Sequence, residues 1–334
     1  MNGTSSFAER VANLHIPHPR VKKIWETLDS IRRHNSFQGG NNSPRHRFIV
    51  GLSGVGKTQM MKRYAEQNVG YVHTDEEGTE YDIRPVVYVN LPDPFTIMEL
   101  YRSIIHALGA PQLSGRPTIG EVKHQVFTLL EAQKVEMLIL DEMDHIITTR
   151  FVTNEEAMGA IKHIANHGRV SVICVGTPEF EQLRKLDSQH FRRYPPTKLE
   201  RFKNCDPDFY NLLASIEEQL KPPQPIGFIA LKESLVKVDE NKTKSNDESS
   251  DKSGQMQIIE EAQFLAHLFH RCSYGLVGYL TPIIQEAYHL LGIFAPDFDE
   301  ETNPLSLRIT LKEAYQNIIG DVSEEELKKM IKDE

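Results

Sequence analysis

The chain has 334 residues, 39% hydrophobic and 25% charged, a balance ordinary for a water-soluble protein and enough for one larger and one smaller domain. Its net charge of -9 argues against a bulk nucleic-acid coat, although Arg10, Arg20, Lys22, Lys23, Arg32, Arg33, Arg45 and Arg47 face few acids and keep a local basic surface open. No apolar run is long enough to span a bilayer, the N-terminus has no basic-then-apolar signal pattern, and three scattered cysteines (Cys174, Cys205, Cys272) exclude a disulfide framework, so a reducing, cytoplasmic setting is expected.

In chain order, residues 7–36 carry a helical pattern broken by Pro17-His18-Pro19. Val21, Ile24, Trp25, Leu28 and Ile31 form its apolar stripe. Residues 38–44 read as a Gly/Asn/Ser loop. The apolar run Phe48-Ile49-Val50 then leads into Gly51-Leu52-Ser53-Gly54-Val55-Gly56-Lys57-Thr58, which is G-x-x-x-x-G-K-T before a helix over 57–67. Strand, loop and helix are the context a phosphate-binding P-loop needs. Gly51, Gly54 and Gly56 are expected at positive φ, turning N–H groups inward around phosphate oxygens. Lys57 can reach the β- and γ-phosphates, and the Thr58 hydroxyl can ligate Mg2+.

Residues 70–84 are polar and read as loop, and 86–89 as a buried strand. Thr96 with Glu99, and Thr118 with Glu121, have the spacing of helix-capping boxes. Met137-Leu138-Ile139-Leu140 reads as a fully buried strand that ends in Asp141-Glu142. In a parallel sheet, ligands bind at that end of the strands. Asp141 is therefore placed on the Mg2+ and Glu142 on the attacking water. A helix over 154–168 precedes a buried strand over 170–175, and Thr177 just beyond it can contact the γ-phosphate or the lytic water. A short helix over 179–186 is followed by Arg192 and Arg193, which are either surface charge or an arginine finger for a neighbouring subunit. Residues 198–202 read as an edge strand.

From Pro207 the pattern turns helical, over 208–219, 258–272 and 279–291, with a last helix capped by Thr310. The stretch 240–254 has almost no apolar residues and is read as a disordered insertion. His267, His270 and Cys272 share helical spacing without a fourth ligand, so they read as helix residues, not a metal site. The expected domains are an N-terminal helical extension (1–46), a nucleotide-binding core (47–205), a helical lid with an insertion near 238–256 (206–320) and an acidic tail (321–334).

Strands alternating with helices predict an α/β fold with a parallel sheet covered on both faces. The extra strand between the P-loop strand and the Asp141-Glu142 strand resembles the AAA+ branch of P-loop NTPases, and the helical region after Pro207 resembles the small AAA+ lid. Pro19-Arg20, the P-loop, 135–142, Ile164-Ala165-Asn166, 172–177 and the D-x-Q-x-x-x-R-[aromatic] element at 187–194 with Leu199-x-Arg201-Phe202 together resemble the TniB/TnsC family of AAA+ transposition regulators, including those of CRISPR-associated transposons. The resemblance implies an ATPase with ATP and Mg2+. It would form a ring or helical filament on double-stranded target DNA, link target selection to the transposase, and disassemble on hydrolysis. Its implied partners are copies of itself, the transposase, a TniQ/TnsD-like target selector and, in CRISPR-associated members, the CRISPR effector. Arg193 takes the finger position and Arg192 stands where Asn is common. Tyr279 stands where some members carry a sensor-2 arginine. The DNA-facing elements fall near 94–98 and 116–118, naming Met98, Arg116 and Thr118. Two other readings share the core: an ATP-switched scaffold that does not hydrolyse, and a helicase loader or signalling NTPase.

Overall fold

The computed structural model describes residues 5–15, 19–37, 44–240, 252–296, 298 and 306–330. Helices α1 (Phe7–Ala12) and α2 (Pro19–Phe37) lead to β1 (Arg47–Val50), α3 (Lys57–Gln67), β2 (Tyr71–Thr74), β3 (Glu80–Ile83) and β4 (Val86–Asn90). Then come α4 (Ile97–Ala107), α5 (Ile119–Ala132), β5 (Met137–Asp141), α6 (Asp144–Thr148), α7 (Asn154–His167) and β6 (Ser171–Gly176). A 3-10 segment (Pro178–Leu186), α8 (Ser188–Arg193) and β7 (Pro196–Lys198) precede the helices α9 (Pro207–Leu220), α10 (Phe228–Glu240), α11 (Lys252–Ser273), α12 (Val277–Leu290), α13 (Leu307–Ile318) and α14 (Glu324–Met330). The chain divides into two compact units, Pro19–Leu199 and Met1–His18 with Glu200–Glu334.

In the first unit five parallel strands run in the order β4-β5-β6-β1-β7. β5 and β6 are buried along their whole length, which is why they read as unbroken apolar runs. Of the sheet's strands only β4 lies between the P-loop strand and β5 along the chain, but in the sheet itself β6 separates them. The stripe on α2 packs as expected: Ile24, Leu28 and Ile31 are buried, and Trp25 Nε1 donates to Met60 O of α3 (3.3 Å).

Residues 70–84 differ from the expected loop. Tyr71–Thr74 and Glu80–Ile83 pair as an antiparallel hairpin whose turn is held by Asp75 Oδ1, which accepts N–H bonds from Glu77 and Thr79. Both faces of the hairpin are largely exposed, so no apolar alternation marks it.

The second unit is helical. Its core holds Phe209, Leu212, Leu213, Phe228, Phe269, Ile283 and Tyr288, together with Phe7 and Val11 of α1. Phe7 meets the Tyr288 ring edge-on at 5.2 Å, and Arg10 Nε donates to Leu220 O (2.7 Å). Thr310 is not a cap: α13 starts at Leu307, and the buried Thr310 hydroxyl donates to Ala287 O (2.9 Å). The expected insertion falls mostly outside the described residues, with α10 ending at Glu240 and α11 beginning at Lys252. Among the described residues no helix is long and apolar enough to cross a membrane.

Candidate nucleotide site

Strand register gathers the site. Val50 pairs with Gly176 and with Lys198, and Asn90 with Asp141, so the segments after β1, β5 and β6 emerge at one carboxyl edge. Gly51, Glu142 and Thr177 are the first residues beyond these strands.

The loop from 51 to 56 is shaped by two kinds of glycine. Gly54 and Gly56 have positive φ (76° and 99°), as expected, but Gly51 does not. Gly51 is required by close approach instead: a Cβ there would lie 2.6 Å from Leu199 O and 2.9 Å from Val55 Cγ1. Val55 is buried and braces the loop, while Ser53 is exposed. α3 begins at Lys57 with no side-chain cap, so its first N–H groups and its positive end are open to an anion. Lys57 Nζ donates to Gly51 O (2.8 Å) and Leu52 O (3.0 Å). Burial holds the Lys57 ammonium below the usual lysine range, opposed by the carboxylates of Asp144, Asp141 and Glu142.

Asp141 is 1% exposed. Tyr88 O–H donates to its Oδ2 (2.8 Å), and the Glu142 N–H to its Oδ1 (2.9 Å). Burial, then the charge of Asp141, pushes the Tyr88 phenol upward, so it stays protonated and remains the donor. Glu142 adopts φ 59°, a left-handed conformation that costs a non-glycine residue roughly 1–2 kcal/mol. Such strain concentrates where a side chain must be aimed. Thr177 N–H donates to Asp144 Oδ2 (2.9 Å), and its hydroxyl donates to Asp144 Oδ1. Tyr88 and Asp144 escape a sequence reading, because neither lies in a motif and both act across strands.

The residues fit a magnesium nucleotide. An uncapped helix start with two left-handed glycines suits phosphate, and the Thr58 hydroxyl and Asp141 carboxylate are hard oxygen donors that suit Mg2+.

Arg193 is placed elsewhere. It closes α8, three residues before β7, and its Nη1 donates to Asn166 Oδ1 (3.0 Å) in the last turn of α7. Beside it His46, which precedes β1, stacks on Tyr194 at 4.9 Å and accepts the Val172 N–H at Nδ1 (3.0 Å). All of these lie at the amino ends of the strands. The four residues of β1 separate Arg193 from its own phosphate loop by about 10 Å or more. Arg184 steadies α8, stacking 4.6 Å from the Phe191 ring and pairing with Glu181 (2.9 Å), while Arg192 is exposed.

The remaining expected positions lie around α4 and α5. Met98 is half-buried against the core. Arg116 is exposed. Thr118 forms the expected capping box, and both its N–H (2.7 Å) and its hydroxyl (2.9 Å) donate to Glu121 Oε2. Thr96 caps α4, but Glu99 pairs with Arg102 (2.7 Å) and does not close the box. His270 Nε2 lies 2.8 Å from Phe202 O, and no group of three or more His, Cys, Asp or Glu placed to share a metal occurs among the described residues.

A P-loop strand, one intervening strand, an acid-tipped strand and a following helical region define a P-loop NTPase fold of the AAA+ class. The family profile described as Bacterial TniB protein matches residues 9–204, more than half of the chain, and the chain belongs to that family. No curated protein matches it. Similar solved structures include the ORC2 protein of Aeropyrum pernix in its ADPNP–ADP complexes, with TM-score 0.58 and 14% identity over 92% of this chain and 71% of that one. Cdc6p from Pyrobaculum aerophilum has TM-score 0.56 and 12% identity over 96% of this chain and 73% of that one. At such identities the likeness is one of fold.

Proposed function

We propose that this protein is an ATP-hydrolysing transposition regulator that assembles on double-stranded DNA, with each nucleotide site completed by Arg193 of a neighbouring copy. The observation that carries the reading is the separation of parts. Lys57, Thr58, Asp141, Glu142 and Thr177 cluster at the carboxyl edge, and Arg193 sits at the amino ends. An arginine so placed lies away from its own phosphates, and on this reading it exchanges its Asn166 partner for the phosphates of the next subunit.

Within the site, the loop amides and Lys57 bind the triphosphate, and Glu142 takes a proton from the attacking water. Mg2+ held by Thr58 and Asp141 would neutralise charge on the β- and γ-phosphates. Hydrolysis removes the γ-phosphate that joins neighbouring subunits, and so dismantles the assembly. In the family reading, the assembled form recruits the transposase and a TniQ/TnsD-like selector.

The DNA-facing edge is assigned to the starts of α4 and α5. Both donors of Thr118 are taken by Glu121, so Arg116 makes the phosphate contact and Thr118 shapes the helix start beneath it. Exposed Arg150 and Phe151 add a cation and a ring nearby, tied to the α4 start because the Thr149 hydroxyl donates to Phe95 O (2.8 Å). Such contacts read the backbone, not the sequence.

Co-sedimentation with duplex DNA and phosphate release test the reading together. Wild type should pellet with a non-hydrolysable ATP analogue and release phosphate with ATP. Glu142→Gln should pellet with ATP but release none, and Lys57→Ala should do neither. Arg116→Ala should weaken DNA binding and lower the salt slope by roughly one ion per protomer. Equal and undetectable phosphate release from wild type and Glu142→Gln would leave only a non-hydrolysing scaffold.

A further inference from the structure

Asp144 is not part of the motif at 141–142, yet it holds the residue at the end of the next strand by two bonds. Its Oδ2 accepts the Thr177 N–H (2.9 Å), and its Oδ1 accepts the Thr177 hydroxyl hydrogen. The backbone is shaped to allow this. Met143 N–H donates to Val175 O (3.0 Å), which draws the end of β5 against the end of β6. A Cβ on Gly176 would lie 2.8 Å from Asp144 Oδ2 and 2.7 Å from the Phe180 ring, so only a bare backbone lets the carboxylate approach.

A hydroxyl has one hydrogen and two lone pairs. At Thr177 the hydrogen is committed to Asp144, so only lone pairs remain to face the site. A group that can only accept cannot bind a phosphate oxygen, which also only accepts. It can accept a hydrogen from water.

We propose that Asp144 is a positioning residue that consumes the Thr177 hydroxyl hydrogen, so that Thr177 orients the attacking water by accepting from it and makes no bond to the γ-phosphate. This rests on the hydrolysis reading above and decides between the two roles that the position of Thr177 left open.

Asp144→Asn is the discriminating change, because it keeps size but swaps one acceptor for an amide donor. With the amide oxygen on the Thr177 N–H, the amide nitrogen forces the hydroxyl to accept, and its hydrogen turns into the site. Turnover should fall about 10- to 100-fold, the scale of a misplaced reactant. KM and the affinity for a fluorescent ATP analogue with Mg2+ should hold. Thr177→Val should lose as much, Thr177→Ser less, and the double variant Asp144→Asn/Thr177→Val no more than either single one. Unchanged turnover in Asp144→Asn, additive losses in the double variant, or weakened Mg2+-dependent nucleotide binding would each overturn the proposal. Wild type that releases no phosphate would remove the hydrolysis reading and the proposal with it, an outcome distinct from active wild type with an indifferent Asp144→Asn.

Discussion

Tyr88 determines how Asp141 is presented. A buried carboxylate is costly unless its lone pairs are occupied, and here the Tyr88 O–H and the Glu142 N–H each take one oxygen. Tyr88→Phe removes one partner without changing shape, and outer-shell losses of this kind weaken metal affinity or activity by roughly 10- to 100-fold. A Mg2+ titration of turnover should therefore move to higher metal for Tyr88→Phe; an unmoved curve would detach Tyr88 from the site. His46 gives a second residue-scale expectation. Burial, assisted by Arg193, lowers its pKa from 6.5 to about 3, and its neutral Nδ1 accepts the Val172 N–H. Between those two values the unfolded chain binds the extra proton, so stability is complete above about pH 6.5 and drains away as pH falls toward 3. The loss at pH 5 should be about 2 kcal/mol relative to neutral pH. His46→Gln should flatten that part of the profile in denaturant titrations, whereas an unchanged slope would assign the acid sensitivity to other groups.

Elements joined by tight backbone contacts set the next scale. The turn after α11 is built around Gly275, whose φ is 67° and whose Cβ, if added, would sit 1.9 Å from Phe202 O. Phe202 N–H donates to Gly275 O (2.9 Å), and the Arg201 guanidinium lies 4.0 Å from the Tyr274 ring, so Arg201 and Phe202 are clamped onto this turn. Gly275→Ala should cost at least about 2 kcal/mol and lower the unfolding midpoint by about 5 °C or more. An unaltered midpoint would mean the clamp is dispensable. Glu217 does similar service at the start of α10: buried within α9, its carboxylate accepts N–H bonds from Ile226 (2.6 Å), Gly227 (3.0 Å) and Ile229 (2.9 Å). These joints also explain what a linear reading reaches. The P-loop, the acid-tipped strand and the Thr118 capping box were legible because each is a local pattern with one physical meaning. The hairpin over 71–83 was not, because it buries almost nothing and so carries no periodicity. Thr310 misled because a hydroxyl mid-helix and a hydroxyl at a cap look alike in sequence. Tyr88 with Asp141 and Asp144 with Thr177 were invisible because their pairing depends on which strands become neighbours.

At the scale of the molecule, the sheet divides the chemistry. On the proposed reading, binding and hydrolysis belong to the carboxyl edge, while Arg193, held by Asn166, lies at the amino ends with the His46–Tyr194 stack. One copy would then hold a donor arginine and an acceptor site that do not meet each other. Arg193→Ala should still bind nucleotide yet lose on the order of 10³–10⁵ in turnover, and Glu142→Gln should be silent for a different reason. The measurement that tests the account most directly mixes the two inactive variants with ATP and duplex DNA and follows phosphate release. In mixed assemblies an Arg193→Ala subunit retains its own Glu142 and can receive Arg193 from a Glu142→Gln neighbour, so the account predicts that turnover reappears on mixing. A mixture that co-assembles on DNA yet releases no more phosphate than the two variants apart would contradict it.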